Sequence, residues 1–159
     1  MKASVRTALF CISAVMVGIV ISSIKERSSL ATHNGKFGCA VDCMDGRVQD
    51  AVKQYIQKHY DVEFVDAVTE AGPNKILAEN TETAIIKDIE ARVNISVHHH
   101  KSKIIAIVGH HGCAGNPTDK DHQVEHLRAS KKRLEGLGVK EEIILLWVCE
   151  DFKTIEKID

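Results

Sequence analysis

The chain has 159 residues, of which 44% are hydrophobic and 27% are charged, and this balance is typical of one globular domain with a sizeable core. The formal net charge of −1 and the aromatic content of 4% argue against a nucleic-acid-binding surface. The five cysteines are an odd number at irregular spacing, which favours metal binding or core packing over a disulfide framework.

The amino-terminal segment Thr7–Ile24 contains 18 residues without a charge and has basic residues on both sides. Because a membrane-spanning helix needs about 20 apolar residues, residues 1–27 are interpreted as an uncleaved membrane anchor. A signal peptide cleaved near Ser29–Ala31, and a wrongly assigned start or buried helix, are the alternatives. We therefore expect a membrane-anchored or exported protein, on a side of the membrane that the flanking charges do not decide. The small and polar residues 28–36 are predicted to be a linker that precedes the folded domain, 37–159.

The first half of the folded domain alternates between strand and helix patterns. Phe37–Val41 is a short apolar run and is predicted to be a buried strand. Val48–Tyr60 has apolar residues at helical spacing, and Val62–Val68 predicts a second strand. The Gly-Pro pair within Ala71–Asn74 indicates a turn.

The second half continues the alternation. Glu79–Val97 is predicted to be a helix capped by Thr81, and Lys103–Gly109 has the near-continuous apolar character of a parallel strand. A helix over Asp119–Gly138 and a fourth strand over Glu142–Glu150 follow. We expect the remaining tail to form a last short helix.

This order of elements is typical of an α/β domain with a parallel sheet flanked by helices. We predict about four strands in the order 2-1-3-4. In such sheets ligands bind beyond the carboxyl ends of the strands, where the strand order reverses. The residues that follow the first and third strands should therefore meet in one crevice.

Two cysteine-containing motifs follow these two strands, "CMDGR" at Cys43–Arg47 and "GHHGC" at Gly109–Cys113. Cys43 offers one thiolate, while His110 and Cys113 offer an imidazole and a second thiolate from one tight loop. Two cysteines and one histidine with an open position form a catalytic zinc set, and soft sulfur favours zinc over magnesium or calcium. Either motif alone would be explained as well by buried cysteines. The pair at neighbouring strand ends favours a zinc site.

Asp45 and Arg47 share the first motif with Cys43. An aspartate beside zinc can ligate the metal, or it can accept a hydrogen bond from a metal-bound water. An adjacent arginine is always charged, so it would hold the carboxylate away from the metal and keep it ionised.

Together the two motifs resemble the C-x-D-x-R and H-x-x-C motifs of the beta-class carbonic anhydrases, zinc lyases that interconvert carbon dioxide and bicarbonate. The resemblance covers roughly Phe37–Cys149 and implies a beta-carbonic-anhydrase-like fold. It also implies one Zn²⁺ per subunit held by Cys43, His110 and Cys113, with Asp45 and Arg47 as the catalytic pair. Reversible hydration would proceed through a zinc-bound hydroxide, since zinc lowers the pKa of bound water to about 7, and nearby histidines could carry the proton away.

The sequence departs from the resemblance in "TEAGPN", where Glu70 replaces a basic or amide residue of the family's Arg-Asn-Ala-Gly-like segment. This difference leaves two alternatives, a zinc hydrolase acting on carbonyl sulfide or carbon disulfide and a non-catalytic zinc module closed by Asp45. We expect the apolar segment to stand in place of the amino-terminal helices with which the family wraps a neighbouring subunit. We still expect a homodimer, whose arrangement the sequence does not define.

Other histidines and cysteines have simpler interpretations. His111 is either a proton carrier or a solvated loop residue. His122 and His126 have metal-binding helical spacing but no obvious third ligand, which favours a solvated face. Cys39 and Cys149 are expected to serve packing.

Overall fold

The computed structural model describes residues 35–79 and 83–159, which form five strands and four helices. The strands are β1 (Phe37–Cys43), β2 (Phe64–Glu70), β3 (Ile104–His110), β4 (Glu142–Val148) and β5 (Ile155–Ile158). The helices are α1 (Gly46–His59), α2 (Pro73–Ala78), α3 (Ala84–His98) and α4 (Lys120–Gly136).

The five strands form one sheet in the order β2-β1-β3-β4-β5. β1 pairs in parallel with β2 and β3, and β3 pairs in parallel with β4. This confirms the predicted α/β class and the order 2-1-3-4. Because β1 and β3 are neighbours, their carboxyl ends lie side by side.

The tail was predicted to be a helix, and this prediction is wrong. Asp151 accepts hydrogen bonds from the backbone N–H groups of Lys153 and Thr154, which reverses the chain directly after β4. The residues that follow form β5, antiparallel to β4, so that Val148 pairs with Ile155. The turn capped by Asp151 therefore leads into β5, which pairs with β4 and forms one edge of the sheet.

Hydrophobic side chains pack on both faces of the sheet, because successive residues of a strand point to opposite sides. On one face Ile105 and Ile107 belong to a cluster with Ile86 and Ile89 of α3 and Leu127 of α4. A second cluster joins the other face to α1, and it contains Ala40, Ala106, Val108, Val48, Val52 and Ile56. Both clusters are buried, which fixes α1 beside the carboxyl end of β1.

Two helix boundaries differ from the expected ones. Gly72 has the positive φ of a turn, 66°, but Pro73 immediately starts the six-residue helix α2. Thr83 caps α3 by accepting a hydrogen bond from the N–H of Ile86, whereas the predicted cap, Thr81, lies outside the described residues.

The expected anchor, residues 1–27, and nearly all of the predicted linker also lie outside the described residues. In the part of the chain that is described, none of the helices has the length and apolar character needed to cross a membrane.

Candidate metal centre

The carboxyl ends of two adjacent strands bring together three side chains that could hold a metal ion. Cys43 is the last residue of β1, His110 is the last residue of β3, and Cys113 lies in the loop that follows. All three are buried, and one potential ligand atom from each lies within 4.8 Å of the others. The structure therefore brings together the residues that follow the first and third strands, as the strand order predicts.

The two sulfur atoms have a separation that suits a shared metal ion. Sγ of Cys43 is 3.8 Å from Sγ of Cys113. Two sulfurs bound at about 2.3 Å to one tetrahedral zinc would be about 3.8 Å apart, whereas a disulfide bond is about 2.0 Å long. The spacing fits two thiolate ligands and not a disulfide.

The His110 imidazole presents an unpaired nitrogen at the same place. Its Nδ1 lies 2.8 Å from the carbonyl oxygen of His111, and because a carbonyl only accepts, Nδ1 carries the proton. Nε2 is then the acceptor, and it is buried without a hydrogen-bond partner among the described residues. A buried nitrogen with a free lone pair is costly unless it binds something, so Nε2 is oriented as a ligand atom.

These donors suit zinc better than magnesium or calcium because two of them are soft sulfur atoms. In residues 35–79 and 83–159 the cluster contains three protein ligands and no fourth histidine, cysteine or carboxylate. Three ligands with one remaining position are the arrangement of catalytic zinc sites.

Asp45 is held by Arg47 and does not join the cluster. Nε of Arg47 donates to Oδ1 of Asp45 at 3.0 Å, and Nη2 donates to Oδ2 at 2.5 Å. Oδ1 also accepts from the backbone N–H of Arg47 and so caps α1. These hydrogen bonds lower the pKa of the Asp45 carboxyl to about 2, so the carboxylate is ionised at neutral pH.

Arg47 has a second contact that sequence reasoning missed. Its Cζ lies 4.2 Å from the ring centroid of Phe152, in the turn between β4 and β5. The same ring is 6.5 Å from the imidazole of His110. A single phenylalanine in a tail that is predicted to be helical does not indicate a contact with Arg47.

Gln123 of α4 is a further residue that the sequence analysis passed over. Its buried amide accepts from the N–H of His110 at 3.3 Å and donates to the carbonyls of His110 at 3.0 Å and Asn116 at 3.1 Å. Oε1 also accepts from the Asn74 side chain. The amide therefore fixes both ends of the segment 110–116, the metal-binding loop, which carries His110 and Cys113. The position of Gln123 between His122 and His126 does not indicate this role in the sequence.

The loop that follows β2 packs directly against the metal-binding loop. A Cβ added to Gly115 would lie 2.3 Å from the backbone carbon of Ala71, so only glycine fits this close approach. The nearby Glu70, which pairs with Cys43 in the sheet register, accepts a hydrogen bond from Nη2 of Arg92 at 2.8 Å. The unusual glutamate thus has a structural partner in α3.

Asp42 precedes Cys43 and is 2% exposed. Burial raises the pKa of its carboxyl to about 7, and in residues 35–79 and 83–159 its Oδ1 has no hydrogen-bond partner. The charge of His110 acts in the opposite direction and lowers the pKa of this carboxyl.

The other histidines and cysteines of residues 35–79 and 83–159 lie outside the cluster. His111 is exposed, with Nε2 3.9 Å from Glu150, and His122 pairs with Asp119 at the exposed start of α4. His126 is bonded to the side chain of Asn116. Of the other cysteines, Cys39 is fully buried in the core, and Cys149 donates to Glu156.

Comparisons with known proteins identify related sequences and folds. A family model described as "Putative carbonic anhydrase" matches residues 33–159, most of the chain. None of the curated proteins matches the sequence.

Solved structures resemble the fold at low sequence identity. A beta-carbonic anhydrase of Trichomonas vaginalis is 16% identical with a TM-score of 0.56, covering 91% of this chain and 96% of that one. A carbonic anhydrase of Streptococcus mutans is 15% identical with a TM-score of 0.55, covering 90% and 97%. The beta-carbonic anhydrase CcaA is 12% identical with a TM-score of 0.51, covering 93% and 95%. At these identities the likeness shows the fold.

Proposed function

This chain belongs to the carbonic anhydrase family whose model it matches, and we propose that it is a zinc lyase that reversibly hydrates carbon dioxide to bicarbonate. One observation carries the proposal. The unpartnered Nε2 of His110 lies beside two buried cysteine sulfurs that are 3.8 Å apart.

Cys43, His110 and Cys113 would hold the zinc ion. When bound, zinc lowers the pKa of a coordinated water to about 7 and so supplies a nucleophile at neutral pH. Gln123 would keep the His110 peptide in place, since its amide binds both the N–H and the carbonyl of that residue.

Asp45 would act on the open side of the cluster. Its ionised carboxylate can accept a hydrogen bond from the nucleophile and orient it towards carbon dioxide. Arg47 would hold the carboxylate in this role, because the ion pair occupies both carboxylate oxygens. The same pair argues against a non-catalytic module in which Asp45 itself fills the fourth metal position.

Stopped-flow measurement of carbon dioxide hydration, with zinc content determined on the same sample, tests this function. We expect about one zinc per chain and hydration well above the buffer rate. Full zinc occupancy without hydration would refute the proposed reaction. Assays of the same sample with carbonyl sulfide and carbon disulfide would then decide for or against hydrolysis of these sulfur analogues, the alternative that Glu70 raised.

The cellular location and the assembly belong to the same proposal. Residues 1–27 would tether the enzyme to a membrane, and the folded domain would form a homodimer. Carbonate extraction of membranes that carry the full chain, compared with a chain lacking residues 1–27, tests the tether. Recovery of both forms in the soluble fraction would contradict it, and sedimentation velocity of the detergent-solubilised full chain gives the oligomeric state.

A further inference from the structure

The turn between β4 and β5 holds Phe152 in an unfavourable backbone conformation. Its φ is 53°, in the left-handed region that a bulky side chain rarely adopts. The N–H of Phe152 donates to the carbonyl of Cys149, and the N–H of Cys149 donates to the carbonyl of Thr154. Asp151 additionally accepts from the Thr154 hydroxyl and from two backbone N–H groups of the turn. Five hydrogen bonds thus hold the turn in which Phe152 has a positive φ.

This conformation directs the aromatic ring at the edge of the metal centre. The ring packs against the hydrophobic cluster on the α1 face of the sheet. Its centroid is 4.2 Å from Cζ of Arg47 and 6.5 Å from the His110 ring. Backbone strain that a surrounding structure maintains is commonly found at functional sites.

The ring and Asp45 restrain the guanidinium of Arg47 from two directions. Asp45 binds the edge formed by Nε and Nη2, whereas Phe152 covers the guanidinium carbon. The Arg47 side chain is 55% exposed, so without the ring it could rotate into solvent more readily. Rotation would break the side-chain hydrogen bonds to a carboxylate that is only two residues from Cys43.

We propose that Phe152 is a positioning residue that holds the Arg47 guanidinium against Asp45 and thereby keeps the Asp45 carboxylate from filling the fourth metal position. The inference rests on the proposed function, because it explains how the position needed for catalysis stays open. Phe152 would thus affect the reaction indirectly, through Arg47.

Three substitutions separate the ring from general packing. Phe152→Leu keeps an apolar side chain but removes the ring, and Phe152→Tyr restores the ring. Phe64→Leu makes the same change at an exposed phenylalanine on the edge strand β2, at the opposite end of the sheet. Thermal melting establishes that each variant is folded, and Phe152→Met replaces the leucine variant if that one does not fold.

The first measurement follows Arg47 directly and needs no activity. In ¹⁵N-resolved spectra, the Nε–H proton of Arg47 should exchange slowly with water in the wild type. In Phe152→Leu we expect exchange to be about two- to fivefold faster, the factor that corresponds to an exposed cation–π contact. Phe152→Tyr and Phe64→Leu should match the wild type. Unchanged exchange in Phe152→Leu, or a tyrosine variant as fast as the leucine variant, would overturn the proposal.

The second measurement follows the open position with cobalt in place of zinc. Azide should bind the wild-type cobalt protein and change its visible spectrum, whereas Phe152→Leu should bind azide about two- to fivefold more weakly, since Asp45 then competes. Equal azide affinity would count against the proposal. Failure of the wild type to bind metal would refute the proposed function instead, and the Arg47 exchange data would still show whether the ring holds the guanidinium.

Discussion

The carboxylate of Asp45 and the guanidinium of Arg47 form a two-point ion pair at the first turn of α1, with hydrogen bonds of 3.0 and 2.5 Å. The same carboxylate accepts from the backbone N–H of Arg47, so it caps the helix as well. A substitution at Asp45 should therefore keep the cap if the catalytic contribution is to be measured alone.

Asp45→Asn meets this requirement, because asparagine caps helices about as well as aspartate. We expect zinc content to be retained and the rate of carbon dioxide hydration to fall about 100-fold, the loss typical of a positioned proton acceptor. Asp50→Asn, an exposed change on the same helix, should leave the rate unaltered. A full rate in Asp45→Asn would remove Asp45 from the mechanism.

Arg47→Gln should raise the pKa of the Asp45 carboxyl from about 2 towards the ordinary value of about 3.9. The depressed folded-state pKa means that the pair stabilises the fold fully above about pH 3.9, and that this contribution is lost as the pH falls through about 2. A ¹³C NMR titration of the Asp45 carboxyl measures the change. Arg92→Gln, which removes an arginine paired with Glu70, should not move it.

Cys43→Ser should abolish tight zinc binding. Changes in groups that only support metal ligands already lower affinity by about 10- to 100-fold, so loss of a thiolate should lower it by more than about 100-fold. Chelator competition measures the affinity, with Cys149→Ser as the control, because that half-buried cysteine lies outside the cluster. Zinc bound equally well by Cys43→Ser would refute the ligand assignment.

Gln123→Leu should weaken zinc binding by about 10- to 100-fold without changing any ligand. The variant removes the amide that binds the His110 peptide and the Asn116 carbonyl. Gln57→Leu, at a half-buried glutamine of α1 that donates a hydrogen bond to the carbonyl of Glu63, serves as the matched control. If both variants kept wild-type affinity, Gln123 would have no part in holding the ligand.

Gly115→Ala should destabilise the fold by about 1–3 kcal/mol, the usual effect of forcing an extra methyl group into a packed contact. The added Cβ would lie 2.3 Å from the backbone of Ala71, whereas at Gly136 it would meet nothing within 4 Å. Gly136→Ala should therefore leave the free energy of unfolding unchanged or raise it slightly. Urea denaturation of the two variants makes the comparison, and equal stabilities would contradict the close packing of the two loops.

The strand order and the position of the ligands could be predicted because they depend on local patterns. Apolar runs such as Lys103–Gly109 mark buried parallel strands, and the ends of neighbouring strands must coincide. Cys43, His110 and Cys113 therefore come together as expected. The spacing alone does not decide whether Asp45 turns to Arg47 or to the metal, since both arrangements fit it.

The parts that could not be predicted depend on contacts between distant segments. The strand in the tail could not be predicted, because nothing in its short sequence shows that Asp151 caps a reversal into β5. Phe152 and Gln123 act on residues of other elements, and their roles follow from which side chains happen to face the crevice. A single sequence contains no record of such pairings.

The candidate ligands are divided between the end of β1 and the end of β3 with its following loop. Metal binding would therefore depend on folding. A chain that has not yet paired these strands offers a lone cysteine from one segment and a histidine and a cysteine from another, and neither set completes the site. Zinc would thus bind the native state selectively. At a free zinc concentration 100 times the dissociation constant, this selectivity adds about 2.7 kcal/mol to the free energy of unfolding. The cellular zinc supply would then govern how much of the protein survives proteolysis, independently of the catalytic rate of each folded molecule.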